Sequence, residues 1–320
     1  MFTTGFVYNI IDTDLSDAYK VSILLSIYLK LQLQSLNNQT YQNIEVLIND
    51  DCPEDPCDPS IFKTYLTKVP FKLFPQDNHN LGYHKSFEKL LKNSDGEYIA
   101  FCDQDDIWFP NKIEKSISVL EKENALLVAS DRQIIDENNN IVKESVRKES
   151  KKIWERWHTG DDIAKYNLFT TFAIGMVIVM KGDYARSTIP FSSYTGHDKW
   201  VISCAATDGK VAFIEEPLVQ YRRHSNNVSG ILKGINCKQD YMRKRVIPDS
   251  EAINDFLTKY PNFKDKQEVL AFNDARKNHS ITQLFHYRYL SPDIAAFDIM
   301  ISLTPSFMFP FLLKIARKYG

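Results

Sequence analysis

The sequence predicts an α/β chain: a mixed, mostly parallel sheet flanked by helices, with a helical C-terminal extension. Three observations predict it. Short apolar runs alternate with helix-like stretches over the first ~130 residues, the pattern of βαβ units. Two of those runs end abruptly in acids, at Asp50-Asp51 and at Asp103-Gln104-Asp105-Asp106. Beyond about Gly234 the runs stop, and the chain becomes helical, charged and tyrosine-bearing.

The elements follow in chain order. Residues 21–27 (VSILLSI) are apolar and β-branched and read as a buried strand. Leu29, Leu33 and Leu36 then recur at helical spacing, giving a short helix that ends near Asn37-Asn38. Residues 44–48 (IEVLI) form a second buried strand that runs into Asn49-Asp50-Asp51. Three prolines and three acids make 52–60 a loop, and Phe71–Phe74 is a short third strand. A helix over about 83–92 precedes a fourth strand, 98–102 (YIAFC). The next helix, about 111–123, presents Ile113, Ile117 and Leu120 on one face. Leu126–Ser130 is a fifth strand, 136–152 an exposed loop or hairpin, and 172–180 (FAIGMVIVM) another buried strand. A helix near 197–207 leads into strand-like Val211–Ile214 and Pro217–Tyr221. The later strands break the alternation, so the sheet should be mixed. The organisation is an atypical segment over 1–20, an α/β domain over 21–233 and a helical extension over 234–320.

Composition sets the outer limits. With 320 residues, 43% hydrophobic and 25% charged, the chain is globular, not disordered. Thirty-nine Lys and Arg against 41 Asp and Glu give a net charge of −2, so nucleic acid is not an expected partner. Five cysteines without a CxxC pair argue against a zinc ribbon and for free thiols in a reducing cytosol. The N-terminus carries Asp12, Asp14 and Asp17 where a signal peptide would be basic and then apolar, so the expected location is cytoplasmic.

The membrane question is confined to 299–313 (IMISLTPSFMFPFLL). This charge-free run is interrupted by Pro305 and Pro310 and followed by Lys314, Arg317 and Lys318. It falls short of the ~18–20 residues needed to span a bilayer. It reads either as a segment lying on an anionic membrane, peripheral at the inner face of the plasma membrane, or as a core-packed terminal helix.

The chemistry concentrates in Asp103-Gln104-Asp105-Asp106. Three carboxylates in four residues repel one another unless a positive partner compensates them. A hard divalent cation such as Mg or Mn suits them, because magnesium binds through one or two carboxylates plus substrate phosphates.

The stretch Gly96-Glu97-Tyr98-Ile99-Ala100-Phe101-Cys102-Asp103-Gln104-Asp105-Asp106-Ile107-Trp108 closely resembles the centre of family 2 glycosyltransferases of GT-A fold. The likeness extends through Val21–Ser26 with Ser35–Tyr41, Ile44–Asp51, Asn80-Leu81-Gly82 and Gly196-His197-Asp198-Lys199-Trp200. Tyr221-Arg222-Arg223-His224 and the following Ser225–Gly230 resemble the closing motif of a bacterial rhamnosyltransferase-like subgroup. Such a resemblance implies a metal-dependent transferase moving a sugar from a nucleotide sugar, dTDP-rhamnose or a UDP-hexose, to a hydroxyl of a glycan or lipid-linked acceptor.

The resemblance also implies roles. Asp50 or Asp51 would contact the nucleobase, Asp103 the ribose or base, and Asp105 the metal, with Asp106 behind it; which acid of the motif ligates stays open. Asp198 would be the general base of an inverting reaction. Arg222 and Arg223 would neutralise phosphates, His224 would bind the metal or a phosphate oxygen, and Trp200 would stack on the sugar. His79, His84, His158, His279 and His286 carry no usable spacing. One departure stands out. If 21–27 is the first strand, Tyr28 runs straight into the helix, and the loop that helps clamp the nucleobase in the family is missing. A degenerate, non-catalytic scaffold would explain that, and a metal-dependent phosphohydrolase is the other alternative.

Overall fold

A computed structural model describes residues 2–8, 18–150, 152, 155–224, 232 and 234–319. Its first strand is not where the sequence pattern suggests. β1 spans Phe2–Tyr8, and the apolar run 21–27 is the first part of a 20-residue helix, α1, Ala18–Asn37. A seven-residue apolar run has no periodicity that separates a buried strand from a buried helix. Here its helical continuation decides, with Tyr28, Leu29, Leu33 and Leu36 all buried. Nine residues, 9–17, separate β1 from α1, so the junction at Tyr28-Leu29 that seemed to lack a loop does not exist.

The remaining elements of the sheet unit are β2 (Ile44–Asp50), α2 (Ser60–Tyr65), β3 (Phe71–Leu73), α3 (Tyr83–Lys92), β4 (Tyr98–Asp103), β5 (Ile107–Trp108) and α4 (Lys112–Glu123). β6 (Leu127–Ile135) and β7 (Ile141–Lys143) follow, with a short α5 (Val146–Glu149). With β8 (Ile178–Lys181) and β9 (Val211–Arg222), the sheet among the described residues has nine strands in the order β3-β2-β1-β4-β8-β6-β9-β5, with β7 on β6. β1 lies parallel between β2 and β4, in a register that pairs Val7 with both Asn49 and Asp103. The acids that end β2 and β4 therefore emerge at one edge, two strands or roughly 9–10 Å apart. β8 runs antiparallel to β4 and β6, so the sheet is mixed.

The expected strand over 172–180 shrinks to β8, Ile178–Lys181, because Gly175–Val177 turns as a 3₁₀ helix. Val211–Ile214 and Pro217–Tyr221 are one strand, β9 (Val211–Arg222), whose register against β6 shifts beyond Ser130. α7 (Gly182–Ser187) and α8 (His197–Asp208) complete this unit.

Two compact units divide the chain. The helical one takes Ile163–Thr171, Ser192–Gly196 and Asn227–Gly320, so two short segments inside the expected α/β domain belong to it. It contains α6 (Ala164–Asn167), α9 (Lys238–Tyr241), α10 (Ile247–Lys259), α11 (Lys266–Lys277), α12 (Ile281–His286), α13 (Pro292–Leu303) and α14 (Phe309–Tyr319). Lys165 ties α6 to this unit through Asp265 and Glu268, both at 3.0 Å. Its interior holds a buried polar knot. The Arg276 guanidinium donates to Asp298 and Asp249, both at 2.9 Å, and the Tyr241 hydroxyl donates to Asp298 at 2.6 Å.

Losing Asp298 leaves the buried Arg276 charge with Asp249 alone and the Tyr241 hydroxyl without its acceptor, and breaking a buried pair costs about 3–5 kcal/mol. Asp298→Ala should lower the stability of the helical unit by that amount in chemical denaturation. A loss under about 1 kcal/mol would place the pair among weak surface-like ion pairs.

Candidate active site

The acid motif follows β4, and its geometry is set by β9. The backbone N–H of Arg222 donates to Asp106 Oδ1 at 2.9 Å. The Arg222 guanidinium donates from Nε to the Asp105 carbonyl at 2.8 Å and from Nη1 to the Asp136 carbonyl at 3.1 Å. Its other face lies 4.2 Å from the centre of the Tyr28 ring. Arg222 is fully buried. The expectation that it meets phosphates is therefore corrected: its planar fork holds the motif's backbone in place. Arg223 is exposed, with its N–H on the Ile135 carbonyl.

His224 comes next, and its Nε2 lies 2.9 Å from Asp105 Oδ2. Its ring stacks on Tyr28 at 5.6 Å between centroids. A carboxylate and an imidazole thus converge on one point. Among the described residues no group of three or more His, Cys, Asp or Glu side chains forms a complete metal cage. The two atoms are within hydrogen-bond distance of each other, and such a pair would suit a cation whose remaining ligands come from substrate phosphates and water. Ser225–Gly230, the rest of the closing motif, lie outside the described residues.

The other acids crowd around this pair. Burial, then Asp105, then Asp198 push the Asp103 carboxyl up to about 7. Burial, reinforced by Asp105 and Asp103, drives Asp106 well above the carboxylate range, and one of its oxygens, Oδ2, has no hydrogen-bond partner. The electrostatics link Asp103 directly to Asp198, 95 residues further along the chain.

Asp198 sits in the first turn of α8. Its Oδ1 accepts from the Lys199 N–H at 2.7 Å, and the Gly175 backbone N–H also bonds its carboxyl. Burial outweighs these bonds and raises its pKa. Gly175 has a steric reason to be glycine: an added Cβ would stand 2.7 Å from His197 Nε2. The His197 ring fills an aromatic pocket, 4.1 Å from Phe87 and 4.8 Å from Phe101 between centroids, and burial pushes its pKa down to about 3.

Asp50 and Asp51 stand at the end of β2. Both Asp50 oxygens accept backbone N–H groups, from Cys52 at 3.1 Å and Cys57 at 2.8 Å, so this side chain shapes the loop. Asp51 Oδ1 accepts from the Leu81 N–H at 2.6 Å, while its buried Oδ2 has no hydrogen-bond partner.

Three contributors escaped the sequence reading. Tyr28 packs between Arg222 and His224. His84 lies within electrostatic reach of Asp198. Its Nδ1 is buried without a hydrogen-bond partner, and burial lowers its pKa to about 4. Lys112 is fully buried with Nζ 3.5 Å from the centre of the Trp108 ring. Burial lowers its pKa to about 7, against the pull of Cys102 and Asp106. Only contacts across the fold give these residues meaning; no spacing announces them.

The comparisons with known proteins fit this arrangement. Residues 28–183 match the family described as Glycosyl transferase family 2. An uncharacterised glycosyltransferase of Methanocaldococcus jannaschii is 27% identical over 91% of this chain and 89% of its own length. The protein is a glycosyltransferase. The Escherichia coli enzyme named UDP-Glc:alpha-D-GlcNAc-diphosphoundecaprenol beta-1,3-glucosyltransferase WfgD is 34% identical over 39% of this chain and half of that protein. Among solved structures, Staphylococcus aureus TarS in complex with UDP-GlcNAc matches 99% of this glycosyltransferase and 87% of the TarS chain, with a TM-score of 0.58 at 16% identity. The fold is therefore GT-A, as the motif resemblance implied.

Trp200, expected against a sugar, is a packing residue. It is 4% exposed, and its Nε1 donates to the Thr188 carbonyl at 2.9 Å. Trp200→Phe leaves that carbonyl unsatisfied and should cost about 1–3 kcal/mol in a denaturation midpoint. Donor affinity should stay unchanged. A loss of about tenfold or more, worth ~1.4 kcal/mol of binding, would return Trp200 to the sugar site.

Proposed function

We propose that this glycosyltransferase moves a hexose from a nucleotide diphosphate to an acceptor hydroxyl with inversion, using Asp198 as the base. The observation that carries the reading is the convergence of Asp103, Asp105, Asp106 and Asp198, with Asp198 electrostatically coupled to the end of β4. The ground for a degenerate scaffold disappears with the relocation of the first strand, since the Tyr28-Leu29 junction lies inside α1 and not between a strand and a helix.

The transfer breaks the bond between the anomeric carbon and the diphosphate oxygen and forms a bond to the acceptor oxygen. The acceptor proton goes to Asp198. Its buried carboxyl has a raised pKa, which makes it a stronger base, and the Gly175 and Lys199 N–H groups fix its direction. Asp105 and His224 would hold a divalent cation, Mg or Mn, which supplies charge stabilisation for the leaving diphosphate. Arg222 fixes the Asp105 carbonyl through its Nε and the Asp106 side chain through its backbone N–H. Exposed Arg223 would neutralise the phosphates, and Asp51 with its unpartnered oxygen is the better of the two candidate base contacts. A UDP-hexose is favoured as donor over dTDP-rhamnose because the enzyme 34% identical over 39% of the chain carries UDP-Glc in its name. A glycan or lipid-linked acceptor follows from the same likeness.

Nucleotide release from a panel of nucleotide sugars, with and without lipid-linked acceptors, tests this. An acceptor-dependent signal supports transfer, whereas equal release without acceptor would indicate a phosphohydrolase.

Asp105→Ala should abolish metal-dependent nucleotide binding in calorimetry while the protein stays folded, since removing one acid relieves repulsion. Undiminished manganese-dependent binding would remove Asp105 from the metal site.

Asp198→Asn preserves shape but cannot take a proton. Donor and metal binding should remain near wild type while turnover falls by about 10²–10⁴. A variant that keeps more than about a tenth of wild-type turnover at matched donor saturation would lie outside that range and end the base assignment.

A further inference from the structure

The end of the helical unit carries an apolar face that the described residues leave exposed. α14 buries one side: Phe309 and Leu313 join Ile235, Tyr241, Val246 and Ile301 in a core cluster. Residues two positions away on a helix point to the opposite side. There Phe311 is 65% exposed and Ile315 43%, and Phe307, in the 3₁₀ turn that leads into α14, is 84% exposed. Met308 continues this face, and Met300 and Leu303 near the end of α13 are exposed as well. Contiguous exposed apolar surface of this kind marks an interaction site.

Charge identifies the occupant. Residues 234–247 and 299–320 contain Lys238, Arg243, Lys244, Arg245, Lys314, Arg317 and Lys318 against one acid, Asp240. The basic run 243–245 is held beside α14, because Tyr241 and Val246 share its core cluster. Arg317 reinforces the junction by donating to the Leu232 and Ile235 carbonyls. Lys314 is exposed and lies between Phe311 and Ile315 in sequence. No described helix is long and apolar enough to cross a membrane. An aromatic face rimmed by lysine and arginine is the design of a helix that lies in the plane of a bilayer interface.

We propose that the Phe307–Ile315 face docks the protein on an anionic lipid bilayer, with Phe307 and Phe311 inserted among the acyl chains and Lys314 and the 243–245 cluster on the headgroups. A protein partner would need acids facing the rim and no affinity for lipid. The proposal uses residues of the helical unit alone and stands apart from the chemistry assigned to Asp105 and Asp198.

The test is co-sedimentation of the full chain with vesicles of phosphatidylcholine containing phosphatidylglycerol, and with phosphatidylcholine alone. Wild type should pellet with the mixed vesicles and bind the neutral ones more weakly. Phe307→Ser combined with Phe311→Ser removes two exposed side chains that are not part of the core cluster, and should weaken binding by roughly a hundredfold or more. Lys314→Glu should weaken it by about five- to thirtyfold, and added salt should reproduce that loss. Nucleotide release with a soluble acceptor should be the same in all variants, which separates failure here from failure of the transferase chemistry. Wild type remaining in the supernatant, or variants that pellet like wild type, would overturn the proposal. So would a dimer in sedimentation velocity that the double variant dissolves while vesicles are ignored, because the face would then belong to a second copy.

Discussion

Crowded negative charge at the end of β4 is the constraint on which the site depends. Asp103, Asp105 and Asp106 leave one strand together, and Asp198 approaches from α8. Burial compounds the repulsion, which is why Asp103 and Asp106 hold their protons more tightly than free carboxyls do. The fold answers with hydrogen bonds more than with ion pairs. Arg222 reaches Asp105 and Asp106 through backbone atoms on one side or the other of each bond, and Lys112 stands fully buried nearby. The arrangement is rigid and underneutralised. A cation and a diphosphate brought in together would relieve it.

Parallel strands make this concentration possible. β2, β1 and β4 run in the same direction, so their carboxyl ends share an edge, where open α/β sheets accept ligands. The antiparallel β8 brings the Gly175 turn, and through it the Asp198 carboxyl, toward the same edge. Sheet topology thereby joins residues that lie 95 positions apart.

Much of this was legible in the sequence, for identifiable reasons. β2 and β4 are apolar runs bounded by acids, and α3, α4 and α8 are helices at the expected places. The acid motif was visible because its three carboxylates follow directly on a buried apolar strand and run into Trp108. The beginning of the chain was misread because VSILLSI satisfies strand and helix alike, and because the true β1, FTTGFVY, is less apolar than the run that follows it. Trp200 and Arg222 occupy motif positions, but burial gave them packing and positioning work that residue type alone does not reveal. Tyr28, His84 and Lys112 matter only through partners distant in the chain.

If the acid cluster is a site built for a cation and a diphosphate together, ligands should act on stability jointly. The most direct measurement is the thermal midpoint with manganese alone, UDP alone and both. At concentrations near a hundred times Kd, bound ligand adds about 2.7 kcal/mol, or roughly 5–10 °C for a domain of this size. The account predicts a shift of that order with manganese and UDP together, and much smaller shifts with either alone. A midpoint unmoved by the pair would contradict it.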